Sequence, residues 1–118
     1  MTPMPPIDLR AKLARIAETW TPRVIAELND YQVKLVKLQG DFVWHTHDDT
    51  DDFFLVLTGR LIVRLRDREV LLGPGELFVV PRGVAHQTVA EEAHLLLIES
   101  TGTPNTGNQE TAAPRRAV

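Results

Sequence analysis

The residues with the clearest chemical potential lie in "HTHDDTDD", residues 45–52, where two histidines and four aspartates occupy eight positions. In an extended strand, side chains two apart share a side, so His45 and His47 project together, in the direction of Val43. Two imidazoles on an inward face are costly without a partner and are natural nitrogen donors to a divalent ion. Taken alone, the H-x-H pattern also fits two surface histidines, which need no explanation. A calcium loop is excluded, because "DDTDDFFLVLTG" has no Gly at its sixth position and no Glu at its twelfth. Asp48, Asp49 and Asp51 read as an acidic turn between strands. His86 follows Pro81 and Gly83 and by itself reads as a loop histidine; His94 opens a late strand and reads as structural or exposed.

Composition bounds what such a site can be. The chain has 118 residues, enough for one hydrophobic core and one site. Its net charge of -3 gives no basic face for nucleic acid. There is no Cys, which removes disulfides, iron–sulfur clusters and thiolate zinc sites, so any metal must be held by His and carboxylates. The opening "MTPMPPIDLR" lacks a signal-peptide core and no stretch is long enough to span a bilayer, so the expected location is cytoplasmic, with no membrane partner.

The elements that must position these residues are mostly strands. Residues 1–6 read as an N-terminal arm. In "IDLRAKLARIAETW", residues 7–20, Leu9, Leu13, Ile16 and Trp20 recur at helical spacing, with Asp8 as N-cap and Thr21-Pro22 as stop. From Tyr31 onward short apolar runs broken by Gly, Pro and Asp predict strands over 32–38, 42–47, 53–58, 60–66, 69–72, 77–81, 86–90 and 94–99. "RLIVRLR" alternates and should wet one face, whereas "FFLVLT" and "HLLLIE" barely alternate and should be covered on both. The stretch 101–118, nearly free of aliphatic residues, predicts a partly disordered tail. The expectation is one all-β domain over 7–100, with its barrel core at about 32–100.

Two segments carry a family resemblance. "GDFVWHTHDDTDDFFLVLTG", Gly40 to Gly59, resembles the first motif of the cupin superfamily, and "GELFVVPRGVAH", Gly75 to His86, resembles the second at every specified position. Given H-x-H, average residue frequencies would place Gly59, Gly75, Pro81, Gly83 and His86 at these offsets with a probability on the order of one in a million. The flanking "ELNDYQVKLVKLQGDFVWH" and "PNTGN" resemble small single-domain bacterial cupins, often labelled mannose-6-phosphate-isomerase-like. Asp52 stands where the family usually has Glu, and Ala90 where it often has Asn. Asp shortens the arm by about 1.5 Å. Three outcomes stay open: direct ligation by Asp52, contact through a water, or a backbone shift that restores the bond. Asp51 is a rival that should face the other way.

The resemblance implies a double-stranded β-helix, or jelly-roll barrel, preceded by the short helix. It implies one divalent transition-metal ion per subunit (Fe, Mn, Ni, Cu, Co or Zn) held by His45, His47, Asp52 and His86. Val43, Phe54, Val56 and Thr88 should line the barrel beside these ligands, with Phe42, Trp44, Phe53 and Leu55 outside, where a homodimer would cover them. The expected function is a metal-dependent enzyme of dioxygenase or isomerase type acting on a small oxygen-rich molecule. A non-catalytic small-molecule-binding or sensory barrel is the alternative. Arg82 is a candidate for attracting an anionic substrate, or a solvated turn residue. Neither a Ser-His-Asp set nor a phosphate loop is recognisable; the catalytic residues stay unassigned.

Overall fold

A computed structural model describes residues 5–102 together with the short strand Arg116–Ala117. Helix α1 spans Leu9–Ala14. The Asp8 carboxylate caps it by accepting from the N–H groups of Arg10 (3.0 Å) and Ala11 (3.2 Å). It is shorter than the expected 7–20. The Trp20 N–H instead donates to the Lys37 carbonyl (2.8 Å) and its indole N–H to that of Gln39 (3.0 Å). These tertiary bonds hold the chain in a non-helical bend, with Trp20 at φ +65, and a helix of fewer than two turns has little propagation energy with which to compete. The apolar spacing still marks burial: Ile16 is buried and Trp20 packs on the core.

The strands are β1 (Arg23–Leu28), β2 (Tyr31–Asp41), β3 (Asp52–Arg64), β4 (Glu69–Leu72), β5 (Leu77–Val80), β6 (Gln87–Ser100) and β7 (Arg116–Ala117). They follow the order β4-β3-β6-β2-β1-β7, and β5 pairs with the first part of β3. All pairings are antiparallel except β7 with β1. This jelly-roll arrangement encloses one core of Val36, Leu38, Phe54, Val56, Leu61, Val63 and their neighbours. No helix among the described residues is long and apolar enough to cross a membrane.

Several element boundaries differ from those expected. β1 extends the sheet ahead of residue 32, where no strand was expected; "RVIAEL", after the stop at Pro22, is only partly buried and shows no clean alternation. Residues 42–47 form only a single bridge, His45 to His86, rather than a strand. The runs at 53–58 and 60–66 are one strand, as are those at 86–90 and 94–99. Of the tail, Thr101, Gly102 and Arg116–Ala117 fall among the described residues, the last two paired with Arg23 and Val24; the expectation for the rest lies outside the described residues.

The merged strands bend together. The ladder shifts between Leu38 and Gly40 in β2 and around Thr58 to Arg60 in β3, both opposite β6 residues 90–94. Bulges add a residue to one strand and reverse which parity faces inward. Accordingly Asp52, Phe54 and Val56 are buried before the bulge in β3, and Leu61 and Val63 after it. In β6 the buried set changes from Thr88 and Ala90 to Ala93, Leu95, Leu97 and Glu99. Within 53–58 and 94–99 burial still alternates, and these runs barely alternate in sequence because their outward residues, Phe53, Leu55, Leu96 and Ile98, are apolar too.

Gly59 makes the bend possible. It sits at φ +80, and a Cβ there would press on the carbonyl oxygens of Glu91 and Glu92. Gly40, at φ +85, has open space around it. Gly59→Ala should therefore cost about 3 kcal/mol or more, from strain plus overlap, and Gly40→Ala only about 1–2 kcal/mol, from strain alone. Urea unfolding of the two variants checks this; equal losses would show that the close strand approach at Gly59 does not matter.

Candidate metal centre

The bridge at residues 45 and 86 joins the two histidine-bearing segments. The His45 N–H donates to the His86 carbonyl (2.9 Å) and the His86 N–H to that of His45 (3.0 Å), so the two residues face each other as a doubly bonded pair. Their ring centroids lie 4.2 Å apart. The turn at Pro81–Gly83 docks on the same segment, the Gly83 N–H donating to the His47 carbonyl at 2.8 Å. Asp52 opens β3 on its inward face.

These backbone constraints bring His45, His47, Asp52 and His86 together, with one candidate ligand atom from each lying within 4.8 Å of all the others. Three Nε2 atoms surround one Asp52 oxygen, Oδ2: His86 at 2.8 Å, His47 at 3.3 Å and His45 at 3.8 Å. The shorter Asp arm thus reaches the cluster. Asp51 points away, as expected, and its carboxylate accepts from the Arg82 N–H at 2.9 Å. Both Asp51 and Arg82 are exposed, pinning one turn to the other outside the cluster. His94 lies half-buried elsewhere, opposite Lys37.

The outer nitrogens show what the inner ones need. Nδ1 of His45 lies 2.9 Å from the Val43 carbonyl, and Nδ1 of His86 lies 2.9 Å from that of Val84. A carbonyl only accepts, so each Nδ1 carries the proton, and in the neutral ring Nε2 presents a lone pair. Those lone pairs face a carboxylate oxygen, which also only accepts. Acceptors crowded this closely require a cation between or among them, either added protons or a metal ion. A shared ion with bonds of about 2.1 Å would space neighbouring donors about 3.0–3.4 Å apart, from right-angled to tetrahedral geometry. The three separations at Asp52, 2.8, 3.3 and 3.8 Å, bracket that spacing, and the nitrogen–oxygen donor set suits a divalent transition metal. The residues fit the group.

Electrostatics point the same way. Burial opposes charge on Asp52, yet His45, His47 and His86 together hold its carboxyl far below the ordinary range. Burial likewise works against a charged His47, but Asp52, with added charge from Glu99 and Asp48, outweighs it and raises the imidazole above its usual value.

The cluster opens on a small cavity of about 50 Å³ that is partly open to solvent. Phe54, Val56 and Thr88 are buried inside the barrel as expected. Val43 is not: it is 54% exposed, because the irregular segment before residue 45 does not continue strand alternation. Phe42, expected outside, lines the cavity instead and stacks on Trp20 at 5.0 Å. Trp44 does face outward, under the Arg66 guanidinium. Glu99, beside its ion-pair partner Lys34, lines the cavity too and was not expected there. The signal for it was weak. Lys34 shares strand parity with Val36 and Leu38, but the bulge in β6 hides the inward phase of Glu99.

The sequence and the structure resemble known proteins. The Cupin domain family profile matches residues 33–99. A cupin-2 domain containing protein from Shewanella frigidimarina is 47% identical, with a TM-score of 0.78 over 80% of this chain and 93% of that one. Protein NMB1881 from Neisseria meningitidis is 36% identical, with a TM-score of 0.74 over 82% of this chain and 100% of that one. YdbB of Bacillus subtilis is 37% identical over 65 residues, 54% of this chain; the match spans 58% of that protein's length.

The two shifted groups set the pH response of the metal-free protein. His47, raised on folding, stabilises below its unfolded value near 6.5, and that contribution is lost as pH rises through the raised value. Asp52, depressed on folding, stabilises above about 3.8 and loses this only in stronger acid. Chelator-treated protein should be most resistant to urea between these limits and weaken above neutrality, with Asp52→Asn flattening the alkaline fall. A profile unaffected by that substitution would show that the carboxylate does not control the cluster.

Proposed function

The chain belongs to the cupin family, and from that premise we propose that it is a small metal-binding cupin with one divalent transition-metal ion per subunit, held by His45, His47, Asp52 and His86. The observation that carries this reading is the convergence of three Nε2 atoms on one buried carboxylate oxygen while two Nδ1 protons are tied to backbone carbonyls. Removing both charge and polarity would be the cheaper way to fill a barrel, so the cluster is kept for what it binds. Fe, Mn, Ni, Cu, Co and Zn all suit these donors.

The reaction we propose is a transformation of a small oxygen-rich organic molecule, of dioxygenase or isomerase type. A divalent ion would supply Lewis acidity toward ligand oxygens and, where redox-active, a route for O2. The chain supplies the rest. The carbonyls of Val43 and Val84 orient the imidazoles, Asp52 offsets positive charge, and Trp20, Phe42, Leu38 and Phe54 wall the cavity from water. The second reading, a non-catalytic small-molecule-binding or sensory barrel, is favoured by the apolar character of that wall.

A homodimer is part of the proposal. On the outer sheet face Phe53 pairs with Val79, and Leu55 with both Leu77 and Leu96, giving an apolar surface on which Leu77 and Val79 are exposed.

Elemental analysis after loading should give about one ion per chain for the wild type and below about 0.1 for His45→Ala and His86→Ala. Occupancy should fall as pH drops, beginning above 6.5, because His47 holds its proton more tightly than a free imidazole. Equal, low metal in all three proteins would refute the reading. For assembly, Leu55→Glu should convert a dimer to a monomer in sedimentation; a monomeric wild type removes that part of the proposal.

A further inference from the structure

Trp20 stands in a backbone conformation that large side chains avoid. Its φ of +65 is left-handed, where the Cβ of an L-residue crowds its own main chain. Two bonds to β2 hold it there, the main-chain N–H donating to the Lys37 carbonyl (2.8 Å) and the indole N–H to that of Gln39 (3.0 Å). Glycine would make the same main-chain bond without strain, so the indole itself is what the conformation is kept for. Outliers of this kind gather at ligand clamps and active sites.

The neighbours of the indole show what it does. It stacks on Phe42, with ring centroids 5.0 Å apart and planes 11° from parallel, and Phe42 meets His45 edge-on at 5.3 Å. A chain of ring contacts thus runs from the segment between α1 and β1 to the metal cluster. Trp20 and Phe42 both line the cavity on which the cluster opens, and with the stack in place that cavity holds about 50 Å³. Pockets that enclose a drug-sized ligand hold roughly 300 Å³ or more. Pinned through main chain and side chain alike, the indole is a fixed wall and not a mobile lid. We propose that the Trp20–Phe42 stack determines specificity by size: it admits a small chelating group to the metal cluster and excludes one that carries a ring next to its chelating atoms. This rests on the metal-binding reading of the cluster. A larger group would have to displace ring, bonds and neighbours together, as in any overpacked core. Removing the indole would leave apolar space for a ring of phenyl size, and such spaces take up aromatic guests.

Acetohydroxamic and benzohydroxamic acids test this, because they share one chelating group and differ only in the methyl or phenyl beside it. Calorimetry on zinc-loaded protein, with zinc measured in the same samples, should show wild type preferring acetohydroxamic acid by about tenfold or more. Trp20→Gly, which relieves the backbone as it removes the ring, should reverse that preference. Phe42→Ala, which leaves both hydrogen bonds of Trp20 in place, should reduce it, and decides the matter alone if the glycine variant does not fold. Loaded wild type that binds both compounds equally, favours the phenyl compound or binds neither would overturn the proposal, as would a preference unchanged in the folded variants. Wild type that takes up no zinc would overturn the metal reading itself, and this inference with it.

Discussion

One carboxylate buried among three imidazoles is the constraint to which the barrel is built. An ion taken out of water costs several kcal/mol unless opposite charge and hydrogen bonds replace its hydration. Asp52 has both available only because His86, 34 residues further along the chain, and the nearby His45 and His47 bring their rings to the same oxygen. With Nδ1 of His45 and His86 committed to carbonyls, the inner nitrogens are left as acceptors. The site is thereby short of positive charge, which a divalent cation would supply without disturbing the outer bonds.

The rest of the fold serves that delivery. The reciprocal backbone bonds of His45 and His86 fix the distance between the two histidine segments, and the Asp51–Arg82 contact ties together the turns that flank them. Bulges at one level of β2, β3 and β6 curve the sheet around the core, and Gly59 allows the strands to approach there. The same bulges switch inward parity, which puts Asp52 and Glu99 inside at one end while Leu61 and Val63 fill the other. Packing and chemistry are therefore set by one backbone feature.

Much of this was legible in the sequence, for physical reasons that differ by residue. The cluster of His45, His47, Asp52 and His86 was legible through the family resemblance carried by H-x-H and by glycines and Pro81 at fixed offsets; by themselves His45 and His47 also read as surface histidines and His86 as a loop histidine. Strand positions were legible where turn signals bound a short apolar run, as in β4 at 69–72. Alternation failed where a bulge reverses it, so β3 and β6 each read as two strands, and it failed at Val43, where the chain is not a regular strand. The helix was overextended because the stripe through Ile16 and Trp20 reports burial, while hydrogen bonds to β2 decide conformation. Lys34 and Glu99 escaped notice because buried charge has no periodic signature of its own.

The most direct test of the central claim is nitrogen-15 spectroscopy of the imidazoles during a zinc titration. Convergence on a common ion predicts that Nε2 of His45, His47 and His86 shift together and saturate at one equivalent, while Nδ1 of His45 and His86 stays protonated. Rings that respond separately, or that ignore zinc altogether, would contradict it.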